Sequence, residues 1–296
     1  MLETVEILIA KLIDEVDYPH AAKLFKKLSG GKRLRARLVL TIAPNEPTAP
    51  LLGAIVELIH AASLLHDDVI DEAQLRRGVP SVNATEGSKT AIMLGDILYS
   101  KAFSELTSFD PRIARSVAES VTRLSVGEMM DVGMAESFNT DRDLYLKMLY
   151  LKTATLIEAC AYSAAILAGK DEQAYATYGK NLGLAFQIVD DILDITADEA
   201  TLGKPSLNDF SEGKMTLPYI DLYDRLDEPF KERLVKSHAQ VLDEDEKQWI
   251  RSQMDAFNII EHSYSHARSL CDEAIGAIGD DAALRSIVES VIKRSH

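Results

Sequence analysis

The sequence predicts an all-α chain. Three observations lead there. Apolar residues recur at three- and four-residue spacing over long stretches, helix-start signals precede two of the helices, and runs of alternating β-branched residues are missing. The spaced stretches cover 50–72, 88–106, 111–134, 141–168 and 171–195, with shorter helices expected from 216 through 292. Asp110-Pro111 reads as an N-cap followed by proline at the first helical position, where a missing N–H is no loss. Thr140 with Asp143 reads as a capping box, aspartate standing in the glutamate place. Two segments interrupt the pattern: Ser29-Gly30-Gly31 ahead of Lys32-Arg33-Leu34-Arg35, and 202–214, which carries Gly203, Pro205 and Gly213 among charges. Both read as surface loops of the kind that carry binding residues. No Gly/Ser-rich or Pro-rich linker divides the 296 residues, so one domain over 1–296 is expected, a single large helical bundle.

Composition narrows the function classes. Apolar residues make up 47%, enough for a sizeable core and too many for a disordered chain. Lys and Arg total 32 against 47 Asp and Glu, a formal charge of −15. Nucleic-acid affinity rests on basic surface, so no nucleic-acid partner is expected. A small anionic ligand stays open, because a few cations or a bound metal override the global field locally. Cys160 and Cys271 lie far apart and outside any CxxC pattern, which suits a reducing cytoplasm and implies neither a disulfide framework nor a zinc site. Glu3 and Lys11 interrupt the apolar N-terminus, so it does not read as a signal peptide. No transmembrane segment is expected, since the richest apolar stretch, 51–65, contains Glu57 and His60.

The strongest chemical signal occurs twice. Asp67-Asp68-Val69-Ile70-Asp71 and Asp190-Asp191-Ile192-Leu193-Asp194 are both DDxxD, each at the C-terminal end of a strongly apolar helix. Acids there face the negative end of the helix dipole, and like charges three and four residues apart repel. Doing this twice calls for a compensating cation. At about 100° per residue, His60, Asp67 and Asp71 fall within roughly 40° of one another, with Ser63 on the same stripe. Gln187 and Asp194 lie within about 20°, flanked by Asp190 and Asp191. Hard oxygen donors in such pairs suit magnesium, which takes one or two carboxylates and completes its shell with water and substrate phosphate.

At this point the chain resembles the trans-polyprenyl (isoprenyl) diphosphate synthases, most of all medium- and long-chain members such as the octaprenyl enzymes. The likeness runs from Gly30 to Ile220 in fixed order. It takes in Gly-Gly-Lys-Arg-Leu-Arg at 30–35, His60, Leu-Leu-His-Asp-Asp-Val-Ile-Asp at 64–71 and Arg76-Arg77-Gly78. It continues through Gly95-Asp96, Gly127-Glu128, Lys152-Thr153, Gln187, the second DDxxD, Gly203-Lys204-Pro205, Asp209 and Glu212-Gly213-Lys214-Met215-Thr216-Leu217-Pro218. The resemblance implies an all-helical bundle around a deep central cavity, the isoprenoid synthase type, usually as a homodimer. It implies that Asp67, Asp71, Asp190 and Asp194 bind Mg2+ bridging an allylic diphosphate, which Arg76 also contacts. Lys32, Arg35, His60 and Arg77 would hold isopentenyl diphosphate. Lys152, Thr153, Gln187, Lys204 and Lys214 would line the allylic site. Thr153 and Gln187 offer oxygen dipoles without a strong nucleophile, which fits cation stabilisation. The product, a polyprenyl diphosphate made from farnesyl diphosphate as primer, would pass to membrane enzymes. Two positions depart from the family pattern. Ala36 stands where proline often follows the basic run, and Asp131 where a glutamine often follows the Gly-Glu pair. The second is expected to touch polar packing and not the chemistry.

Bulky aromatics at the fourth and fifth positions before Asp67 give short products in this family. Here those positions are Ser63 and Ala62, with Val56 and Ile59 deeper on the same side. A medium or long product is expected, octaprenyl first, with Met129, Met130 or Met134 closing the floor. The alternative is a short-chain farnesyl or geranylgeranyl synthase. Rival classes fit less well. A terpene cyclase needs no second diphosphate site, a non-catalytic partner subunit tends to lose an aspartate motif, and a di-iron bundle wants two Glu-x-x-His motifs where only Glu57 to His60 is found.

Overall fold

The structure is a computed structural model that describes residues 1–28, 31–76, 78–197, 206–279 and 281–293. It is all-α apart from a two-residue hairpin, β1 (Leu75–Arg76) with β2 (Val79–Pro80), closed through Gly78 at φ 76°. The chain forms two compact units, residues 1–121 with 159–176, and residues 122–158 with 177–296.

The first unit is organised on α4 (Ala49–Ile70). Helices α1 (Leu2–Asp14) and α3 (Leu34–Ile42) pack on it, as does α6 (Ser88–Leu106), which also carries α5 (Val82–Glu86). Between α1 and α3 runs α2 (Pro19–Lys27). A helix apolar on all sides must be covered on all sides. Accordingly, fourteen of the 22 residues of α4 are buried, among them Glu57 and Asp68. By length and composition α4 could cross a membrane, the only such helix among the described residues, and most of its apolar length is buried within the protein.

Three helices contribute residues to both units: α7 (Pro111–Ala135), α9 (Thr155–Leu167) and α10 (Glu172–Thr196). Asp110 caps α7 as expected, its carboxylate accepting from Arg112 N–H at 2.8 Å. The second unit adds α8 (Arg142–Leu149), the short α11 (Asn208–Ser211), α12 (Leu217–Arg225), α13 (Glu228–Ser237), α14 (Glu244–Ala256), α15 (Ile259–Ile278) and α16 (Ala282–Ile292). The cap of α8 is Asp141, which accepts from Leu144 N–H at 2.9 Å, one residue beyond the expected Thr140. The largest departure from expectation is in the middle of 141–168. That stretch is not one α-helix. A single π-helical turn, Tyr150–Ala154, separates α8 from α9.

Candidate active site

In the second unit the π turn positions the expected site residues, and two glycines explain its place. A Cβ on Gly127 of α7 would lie 2.3 Å from the Lys152 backbone nitrogen, and one on Gly183 of α10 would lie 2.6 Å from Ala154 Cα. Only residues without a side chain let both helices press on the turn. A π turn is a recurrent device at functional sites. This one presents Lys152 toward α7 and Thr153 toward α10. Lys152 Nζ lies 2.5 Å from Asp131 Oδ2 and 3.0 Å from Glu128 Oε2. Burial opposes its charge, but the two carboxylates outweigh burial and hold the ammonium above the ordinary lysine range. Thr153 Oγ1 donates to Gln187 Oε1 at 3.0 Å, and Gln187 Nε2 donates to Asp191 Oδ1 at 3.0 Å. Tyr145 Oη donates to the other oxygen of Asp191. Burial drives the Asp191 carboxyl well above its usual range, and Asp209 adds to that. This chain of bonds fixes the Gln187 amide and leaves hydroxyl and amide dipoles at set positions.

These groups line one cavity of about 130 Å3, together with Lys214, Asp209 and the apolar Met134, Met148 and Met215. Lys152, Thr153, Gln187 and Lys214 are therefore brought together around one cavity. Lys204, with Gly203 and Pro205, lies outside the described residues. Asp131, expected to touch polar packing, pairs with Lys152 and lines the same cavity. Met134 also lines the cavity, whereas Met129 is 77% exposed, which removes it as a floor residue of this chain's interior. Tyr145 was missed. Its position three residues into α8 gives no sign of function until its partner Asp191 is in view.

The second aspartate motif closes α10. Asp190 is half-buried, while Asp191 and Asp194 are buried. Asp194 Oδ2 accepts from Asp209 N–H at 3.1 Å and its carbonyl accepts from Leu207 N–H at 2.8 Å, so both residues bond to the last aspartate of the motif.

In the first unit, Asp67 at the end of α4 is half-buried, Asp71 is exposed and Asp68 is buried. Arg76 Nε donates to Asp68 Oδ1 at 2.7 Å. Burial pushes the Asp68 carboxyl up, against the pull of Arg76. Arg76 thus has one nitrogen committed within the unit, and Arg77 lies outside the described residues. His60 is half-buried, and its carbonyl accepts from Ser63 Oγ–H at 2.9 Å. Ala62 and Ser63 are both buried. Lys32 is exposed and Arg35 half-buried at the start of α3. Between them, Arg33 donates through Nε and Nη2 to the two oxygens of Glu6, at 2.6 and 3.1 Å.

The donors at both motifs are carboxylate oxygens. Among the described residues no three His, Cys, Asp or Glu side chains converge into a cage. That donor set fits magnesium, which leaves most of its shell to water and phosphate, and does not fit a structural zinc site.

With fold and geometry in place, the comparisons are specific. Residues 19–254 match the model of the polyprenyl synthetase family, and the chain belongs to that family. The crystal structure of the octaprenyl pyrophosphate synthase from Helicobacter pylori superposes with a TM-score of 0.94 at 41% identity, covering 100% of this chain and 98% of that one. A short chain isoprenyl diphosphate synthase from Methanothermobacter thermautotrophicus is 34% identical over 90% of this chain and 88% of its own length. The octaprenyl diphosphate synthase of Escherichia coli is 38% identical over 64% of this chain and 62% of its own length. The chain is accordingly an all-α prenyltransferase of isoprenoid biosynthesis, of a family that joins isopentenyl and allylic diphosphates.

Proposed function

We propose that the chain condenses isopentenyl diphosphate head-to-tail onto an allylic diphosphate, with farnesyl diphosphate as primer, and releases an all-trans octaprenyl diphosphate. The observation that carries the reaction is the cavity where Lys152 and Lys214 face the Thr153–Gln187–Asp191 chain. The ammonium groups bind the allylic diphosphate. The Thr153 and Gln187 dipoles face the carbon chain and offset positive charge as the C–O bond breaks. Methionines on the same wall exclude water from the carbocation. Lys32, Arg35 and His60 hold isopentenyl diphosphate on the first unit.

The cavity lining holds three acidic side chains, Asp131, Asp191 and Asp209, beside two ammonium groups, and Lys152 is already paired with Asp131 and Glu128. A diphosphate there needs added positive charge. Asp67, Asp71 and Asp190 would hold magnesium, with Asp194 a weaker candidate because one oxygen is taken by Asp209 N–H. When bound, the metal would neutralise the leaving diphosphate as a Lewis acid.

Product length rests on Ala62 and Ser63, small and buried just before the first motif, and on the likeness to the H. pylori octaprenyl enzyme. A short-chain product is the second reading, favoured by the M. thermautotrophicus relative. A homodimer is supported by Val126, Met129 and Val132, an apolar stripe on α7 exposed by 45, 77 and 45% in the single chain. Two free cysteines support a cytoplasmic setting. The deciding experiment incubates the purified chain with farnesyl and isopentenyl diphosphates, with and without magnesium, and sizes products by mass spectrometry. A magnesium-dependent ladder ending at octaprenyl is expected. A geranylgeranyl end point would discard the length argument, and no condensation with any primer would discard the reaction. Light scattering on the same sample reads the dimer.

A further inference from the structure

We infer that Glu57 is the positioning residue of the isopentenyl diphosphate site, the buried anchor that sets where Lys32 and Arg35 present their charges. This rests on the reading above that Lys32, Arg35 and His60 bind that substrate.

Glu57 is 4% exposed in the middle of α4, a long and mostly apolar helix. A carboxylate in such a place persists only where partners hold it. Its Oε1 accepts from Ala36 N–H at 3.0 Å, and its Oε2 lies 3.6 Å from Arg33 Nη1. Ala36 is the third residue of α3, so its N–H is one of those a helix start leaves without an internal partner. Glu57 therefore caps α3 from a neighbouring helix. The one contact ties the first turn of α3 to α4, three residues before His60 and ten before Asp67.

A second observation points the same way. Arg33, the residue before α3, is left-handed at φ 49° and ψ 44°. A residue with a side chain takes that conformation when its surroundings impose it. Here they do, because Glu6 grips the guanidinium from one side and Glu57 faces it from the other. Arg33 uses up the nearby carboxylates. Arg35 makes no such bond: its Nε is buried without a hydrogen-bond partner. Burial lowers the Arg35 guanidinium from its ordinary range and the Glu57 charge counters that. A buried, unsatisfied guanidinium donor on a fixed turn is what an incoming diphosphate oxygen would complete. The device belongs to this chain's own sequence. Proline at position 36 would carry no N–H for Glu57 to accept.

Three variants separate the possibilities. Ala36→Pro removes the N–H and keeps every charge. Glu57→Gln keeps the acceptor oxygen and removes the charge. Arg35→Ala tests the site itself. Steady-state kinetics are run with each substrate varied in turn, after circular dichroism has shown a native helical content. Ala36→Pro and Glu57→Gln should each raise the KM for isopentenyl diphosphate about fivefold to tenfold, with kcat and the KM for the allylic substrate nearly unchanged. A general structural defect would move both substrates together, and that outcome overturns the inference. So does an unchanged isopentenyl diphosphate KM in either folded variant while Arg35→Ala raises it, which leaves the site assignment standing. If Arg35→Ala leaves that KM unchanged, the site assignment falls first and the role of Glu57 falls with it.

Discussion

The two aspartate motifs share one pattern and live in different surroundings. At the end of α4 the last aspartate is exposed and the first half-buried. At the end of α10 the last aspartate is 2% exposed and bonded to the backbone of residue 209. In both, the second aspartate is buried and works locally: Asp68 holds Arg76, and Asp191 holds Gln187 and Tyr145. The repeat therefore does not make two equivalent metal grips. The first motif keeps two carboxylates accessible. The second keeps chiefly Asp190, and uses its other two acids to build the cavity wall and to hold the backbone of Leu207 and Asp209.

Substitutions can break this comparison. The largest loss is expected from Asp67→Ala and Asp190→Ala, each on the order of 10²- to 10³-fold in kcat with little change in melting temperature. Equal losses in Asp194→Ala would erase the asymmetry between the motifs. Instead, Asp194→Ala should cost less activity and more stability, about 1 kcal/mol for the lost acceptor, read as a lowered thermal midpoint. The helices ahead of the motifs differ as well. Four residues before the motif stands Ser63 in α4 and Phe186 in α10. Ser63→Phe should shorten the product by at least one isoprene unit, seen by mass spectrometry. An unchanged product would show that chain length is set away from α4.

Much of this was legible in advance, for reasons that differ by element. The bounds of α6 match the expected 88–106, and α4, α7 and α10 match within one to two residues, because each carries a long apolar period. Helices α1, α2 and α3 lie ahead of the expected stretches; the last two are nine residues each, and α2 buries only two of them, leaving little periodicity to read. The cavity residues Lys152, Thr153, Gln187 and Lys214 were found by family likeness, and their convergence follows from the fold. What the residues could not announce was the π turn. Nothing within 150–154 marks it; its causes are Gly127 and Gly183, both distant in sequence. Glu57 gave a warning as an acid in an apolar helix, but its partner is a backbone N–H, which every residue except proline offers.

The π turn also carries a consequence for how this enzyme can vary. An extra residue in one turn is a phase slip of about 100° between the helix before it and the helix after it. Deleting any one residue of 150–154 would let the segment run on as a regular α-helix and rotate everything downstream on it by that angle. The spacing between Tyr145 and Thr155 is thus constrained together with the residues it carries to the cavity.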